Sequence, residues 1–222
     1  MDHTQSDHLK AYGIAFLNLK KSINVEWLLN YRGGSFLFDD NSDVKTLCTV
    51  RGVSFELIDA AKLGGILADI EENNMDIVLL EKKPKIAVYS PPDKQPWDDA
   101  VTLALTYSEI DYDVIFDDEV INGKINDYDW LHLHHEDFTG QYGKFYRSYK
   151  NAPWYLKMEK DFNETAKKHG FKSVPELKKY VALKIKQFVA EGGFLFAMCS
   201  ATDSFDIALS SQGIDITESV FD

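Results

Sequence analysis

Cysteine is scarce in these 222 residues: only Cys48 and Cys199 occur, far apart and in unlike settings. That excludes a disulfide framework and the paired spacing of a structural zinc site, and leaves reduced thiols as the default. Basic charge is also short. The 24 Lys and Arg stand against 36 Asp and Glu, a formal charge of −12, so no overall positive field gathers phosphates. Nucleic-acid binding and binding to anionic membranes are therefore disfavoured, and a small-molecule or protein partner is expected. No apolar run approaches the roughly 20 residues of a spanning helix, so no membrane insertion is expected. The opening "MDHTQSDHLK" carries no apolar core of the signal-peptide kind. A cytoplasmic location is the default expectation, periplasmic or secreted if a leader has been removed. Repeats and low-complexity tracts are missing as well, so organisation has to be read from periodicity and punctuation.

What is present is an ordinary globular composition, 45% hydrophobic and 13% aromatic, enough for a sizeable core. The stretch from 7 to 30 reads as a helix, "HLKAYGIAFLNLKK", followed by a strand, "NVEWLLN". A glycine turn in "YRGGSFLF", a short helix near 43–50, a helix over 59–72 and a strand at 76–81 continue the alternation. The rhythm then sharpens. "KIAVYS" at 85–90 is a buried-strand signal, a helix follows acidic residues in "PPDKQPWDDAVTLALTYSEI", and "YDVIF" and "DWLHLHH" read as strands, the latter ending near Glu136. Residues 137–172 form an aromatic-bearing insertion containing Tyr142, Phe145, Tyr146, Trp154 and Tyr155, which are either core or a binding surface. In "SVPELKKYVALKIKQFVAEGG", Ser173 can cap, Pro175 sits in the first turn, Glu176 completes a capping box, and Leu177, Val181, Ile185 and Phe188 share a face. Strand and helix in alternation imply an α/β fold, a parallel sheet covered on both faces by helices. The whole reads as a single α/β domain, with a portion at 1–84 and a core at 85–222.

The stretch "GGFLFAMCSATDSFD" changes character abruptly after its cysteine. An apolar strand there hands over to a helix at the sheet's carboxyl edge, where ligands gather in such folds. A nucleophile on so sharp a corner needs small residues on either side, and Ala197 and Ala201 supply them. The helix starting at Ser200 points free N–H groups toward the sulfur, donors suited to an oxyanion. The competing reading is a small buried residue at a strand end. Cys48, in the expected helix "VKTLCTV", reads as packing. Asp203 reads as a capping residue rather than an acid catalyst.

The other dense constellation is "WLHLHHED". His132 and His134 alternate onto one strand face, with His135, Glu136 and Asp137 at the carboxyl end. Three chemistries compete: a histidine base oriented by Glu136 or Asp137 with His132 contacting substrate, a divalent metal site, or groups that satisfy the loop and one another. Gly140 and Gly143 in "FTGQYGKFY" can bring backbone donors to a ligand, or form a simple turn. Arg32 in "NYRGGS" can meet an anion on a glycine-rich turn, or join a structural ion pair.

The A-M-C-S-A turn resembles the nucleophile elbow of the class I glutamine amidotransferase-like superfamily. Over nearly the whole chain, "WLLNYRGGSF", "KQPWDDAVT", "YDWLHLHHEDFTGQYGKFY", "NAPWY" and "FAMCSATDSFDIAL" resemble a bacterial family labelled asparagine synthetase B. The resemblance implies a flavodoxin-like three-layer sandwich with a mainly parallel sheet. It also implies a longer protein whose His-x-Glu partners lie on a later segment. It implies Cys199 as nucleophile and the Ser200 N–H as oxyanion donor; beside it, the reading of the residues themselves expects His134, His135 and Glu136 as the acid-base group and His132, Gly140 and Asp137 as substrate contacts, acting on a small-molecule amide without cofactor or metal. Synthetase chemistry itself is not expected. It needs an N-terminal cysteine and an S-G-G-x-D-S loop, whereas Asp2 follows Met1 and "YRGGSF" is too short.

Overall fold

Helix α1 (His8–Lys20) begins where the Asp7 carboxylate accepts the Lys10 N–H at 3.0 Å, the expected cap for a first turn of unpaired donors. Its Ile14, Ala15, Phe16 and Leu19 are buried, and Ile14, Phe16 and Leu19 each contribute about 1.5–3 kcal/mol of hydrophobic stabilisation. The computed structural model describes residues 4–91, 100–140 and 143–216. The chain forms two compact units, Met1–Lys83 with Asp99–Asp111, and Pro84–Asp98 with Tyr112–Asp222.

In the first unit, β1 (Val25–Leu29) lies between β2 (Ser35–Leu37) and β3 (Asp76–Leu80), antiparallel to both. Trp27 stands opposite Phe36 on one side and Val78 on the other. Helices α2 (Ser42–Arg51) and α3 (Ala60–Glu72) are capped by Asn41 and Asp59. Helix α4 (Ala100–Tyr107) groups with this unit. Its end meets α1 at Gly13, where an added Cβ would stand 1.9 Å from the Ser108 carbonyl oxygen. Only glycine permits that approach of backbone to backbone.

Just past α4, Glu109 accepts hydrogen bonds from Arg51 Nε at 2.9 Å and Nη2 at 2.6 Å, and from Lys10 Nζ at 3.0 Å. The Arg51 guanidinium, and then the Lys10 ammonium, hold its carboxyl down at about 2 from an ordinary 4.5. A carboxyl lowered by folding stabilises the fold fully above its unfolded pKa, and that contribution fades as pH falls from 4.5 toward about 2. Solvent screening at this partly exposed site keeps the effect modest. Glu109→Gln is expected to flatten that segment of the stability-against-pH curve, measured by urea unfolding at a series of acidic pH values, while a surface Glu→Gln control leaves it unchanged.

In the second unit, β4 (Ile86–Tyr89), β5 (Asp113–Ile115), β6 (Trp130–Leu133) and β7 (Phe194–Ala197) form a parallel sheet in the order β5-β4-β6-β7. Ala87, Tyr89, Leu131, Leu133, Leu195 and Ala197 share one face. Helices α5 (Asp117–Ile121), α7 (Pro153–Lys168), α8 (Val174–Ala190) and α9 (Ser200–Ser210) contribute to the core over that face. Short helix α6 (Gly143–Tyr149) adds Phe145 and Tyr146. Ser173 caps α8 by accepting the Glu176 N–H at 3.4 Å, and Glu176 reaches back to the Lys172 N–H at 2.9 Å. Leu177, Val181, Ile185 and Phe188 are all buried.

Several expectations change. The strands divide between an antiparallel and a parallel sheet, because β1 finds both partners inside the first unit. Strand β6 stops at Leu133, before His134. Strand β7 is an edge rather than a buried strand, with Phe194 59% and Phe196 40% exposed. The insertion is helical: Tyr155 is core and Trp154 is exposed, while Tyr142, like Asp98 and Asp99 before α4, lies outside the described residues. Among the described residues no helix is long and apolar enough to cross a membrane.

Candidate functional site

Register decides what meets at the carboxyl edge of the parallel sheet. Tyr89 stands opposite both Ile115 and Leu133, and Leu133 opposite Ala197, so all four strands end in one row. The residues just beyond that row are Ser90, Phe116, His134 and Met198. This edge is where parallel sheets place ligands and chemistry, because the strand termini leave a crevice there and the helix N-termini point into it.

Cys199 occupies the corner between β7 and α9. It is exposed, serves as the N-cap residue of α9, and has φ 53° and ψ −138°. For a residue with a Cβ this is a strained, glycine-favouring conformation costing about 1–3 kcal/mol, of the kind that persists where the surroundings over-determine it. Those surroundings are visible. Met198 N–H donates to the Leu133 carbonyl at 2.9 Å, Ala201 N–H to the His134 carbonyl at 3.1 Å, and Ser200 Oγ to the His135 carbonyl at 3.0 Å. Ala201 is fully buried, so a larger residue would displace the helix from the corner. The Ser200 N–H has no hydrogen-bond partner among the described residues, whereas the next two are taken, Ala201 by His134 and Thr202 by the Cys199 carbonyl. Cys48, by contrast, is buried in the first unit, and burial pushes its thiol up.

The histidine-bearing segment is brought to this corner, but its members lie at different depths. His132 is completely buried, its Nδ1 3.1 Å from the Phe196 carbonyl oxygen. A side chain sealed inside the sheet cannot touch substrate, which overturns that expectation. His134 follows the strand, partly exposed, with its ring 3.6 Å from that of His135. Glu136 is buried, and its Oε2 accepts the N–H groups of His134 at 3.3 Å and His135 at 3.1 Å. The carboxylate thus pins the loop carrying the two histidines. Ser204 Oγ donates to the Glu136 carbonyl at 2.8 Å and accepts the Phe138 N–H at 3.3 Å, tying the same loop to α9.

Asp137 Oδ1 accepts the N–H and hydroxyl of Thr139, at 2.9 and 2.5 Å, in a local turn. Gly140 is buried with φ 76°, and a Cβ there would stand 2.7 Å from the backbone of Pro175. Its glycine serves close packing at the start of α8, not substrate. Asp203 is exposed in the first turn of α9, which has no side-chain cap. Arg32 Nη1 lies 3.9 Å from Glu56, the structural pair weighed for it. Among the described residues no three His, Cys, Asp or Glu side chains gather as a metal would require.

A second polar group at this edge went unnoticed in the sequence. Lys178 Nζ donates to both Asp117 oxygens, at 2.9 and 2.8 Å, and to Tyr89 Oη at 3.0 Å, and Tyr89 also donates to Asp117. All three are buried, with Lys178 3% and Asp117 1% exposed. The ammonium lies 4.3 Å from the Phe116 ring centroid, a favourable placement over an aromatic face. Burial, and then the Asp117 charge, push the Tyr89 hydroxyl well above its ordinary value. The one signal was positional: Lys178 sits on the buried stripe of Val174, Leu177, Val181 and Ala182, where a lysine needs a buried partner.

The second unit is thus an α/β protein module with a parallel sheet and an exposed, strained cysteine at the carboxyl edge. No known protein family, curated protein or solved structure matches the chain.

Proposed function

We propose that the second unit is a class I glutamine amidotransferase-like module in which Cys199 attacks the carbonyl of a small-molecule amide. The observation that carries this reading is the strained, exposed Cys199 one residue before an unpartnered N–H at the head of α9. Counted from β4, the strand order is 2-1-3-4, as in the first four positions of a flavodoxin-like sheet. The thiolate forms a bond to the carbonyl carbon, the oxygen becomes an oxyanion facing the Ser200 N–H, and the carbon–nitrogen bond breaks as a histidine returns a proton to departing ammonia. Water then hydrolyses the thioester. His134 or His135 is assigned the proton-carrying role, since the loop bearing both is bonded to the corner through Ser200 and Ala201.

A non-catalytic binding module on the same fold is the second reading, and one observation favours it. Among the described residues Cys199 Sγ has no hydrogen-bond partner, so no base is engaged with the thiol. The two separate by ammonia release from glutamine and from simple primary amides. Turnover that falls at least about a thousandfold in Cys199→Ala, with melting unchanged, supports the nucleophile. Release without dependence on Cys199, or none from any amide, leaves the binding module.

A further inference from the structure

The first unit contains a cavity of about 480 Å³ that the amide-cleaving site does not involve. We propose that it binds a neutral, planar, fused-ring heterocycle of about the size of a purine base, with one hydrogen-bonding edge directed at His8. Volume sets the scale: a dry engineered cavity of about 150 Å³ holds benzene, so a space about three times larger admits two fused rings with substituents.

The walls are aromatic. Tyr12 lies edge-on to Phe36 at 5.2 Å between ring centroids, and Trp27 stands 6.3 Å from Phe36 at a tilt of 31°. All three line the cavity. Such surfaces hold a flat ring by stacking and edge contacts. His8 and Tyr12 are four residues apart on α1 and so project from the same helix face. His8 Nδ1 is shielded from solvent and has no hydrogen-bond partner among the described residues, and His8 lines the cavity. A buried polar atom left unpaired is costly, so a ligand edge that satisfies it gains both affinity and orientation.

Charge argues for a neutral ligand. Lining side chains of opposite sign are matched to each other, Arg32 with Glu56 at 3.9 Å and Lys45 with Asp40. Exposed Asp39 remains, which disfavours an anion.

Adenine, neutral at pH 7.5, is the probe. Calorimetry is expected to show saturable one-site binding, with amide resonance shifts concentrated in α1, β1 and β2. His8→Ala should weaken binding about tenfold, the equivalent of one hydrogen bond of about 1.4 kcal/mol. Ala11→Trp, which fills the cavity beside Tyr12, should abolish it. Naphthalene-1-sulfonate and phenyltrimethylammonium should each bind more weakly than adenine. Circular dichroism and melting establish that the variants are folded; if Ala11→Trp is not, His8→Ala and the shift map decide. Binding that does not saturate, shifts elsewhere in the chain, or unchanged affinity in folded His8→Ala overturns the proposal. Tighter binding of either charged probe overturns the assignment to a neutral ring. Each outcome is independent of whether Cys199 is a nucleophile.

Discussion

Cys199→Gly is expected to make the protein more stable while removing its exposed thiol. The wild-type residue holds φ 53° and ψ −138°, which glycine adopts without steric cost. Relief of that strain should raise unfolding free energy by about 1 kcal/mol, the low end of the range for such conformations, because glycine also gains freedom in the unfolded chain. Cys199→Ala keeps a Cβ and therefore the strain, so its stability should stay near wild type. Alkylation by iodoacetamide completes the test. In the native protein Cys199 should react on the order of a hundredfold faster than Cys48, which is exposed only through local opening. Denaturant should abolish the difference. A residue kept for packing would show the reverse pattern: destabilisation on substitution by glycine and slow modification. Equal labelling of the two cysteines, or a clear loss of stability in Cys199→Gly, would sink the strained-corner account.

The largest stability effect is expected at Lys178. Lys178→Ala leaves the Asp117 carboxylate buried at 1% exposure, without the ammonium that holds both of its oxygens. Removing one partner of a buried ion pair costs about 3–5 kcal/mol, because the remaining charge keeps its desolvation penalty. A loss of that size is a large fraction of a domain's total stability. The double variant Asp117→Asn/Lys178→Met should recover most of it, since no uncompensated charge is left and the methionine fills the space against Phe116 and Phe162, which the ammonium faces at 4.3 and 5.0 Å. Urea unfolding of wild type, Lys178→Ala and the double variant gives the comparison directly. Equal losses in the single and double variants would show that packing, not charge, governs this position.

Periodicity made the helices and most strands readable. Alternation between a 3.6-residue and a 2-residue period is local, as are the capping residues Asp7, Asn41, Asp59 and Ser173. Pairing is not local. Nothing in "NVEWLLN" states that its partners are 35–37 and 76–80 rather than strands of the second unit. The candidate site was legible where small residues flank Cys199, and illegible where function depends on depth. His132 and His134 look alike as a pair of alternating histidines, yet one is sealed under Phe196 and the other stands beyond the strand. Glu136 resembles an orienter for a histidine ring, and only folding shows that its Oε2 also accepts the loop amides.

By itself the amino-acid order determined the elements, their caps, the strand-to-helix corner at Cys199 and the excess of acid, because each follows from neighbours within a few positions or from simple counting. Tertiary structure alone decided that two sheets form, that four strand ends share a row, that Lys178 meets Asp117 and Tyr89, and that Cys199 carries a left-handed backbone. Those outcomes depend on hydrogen bonds and packing between residues tens of positions apart, whose free energies exist only once the chain has closed on itself.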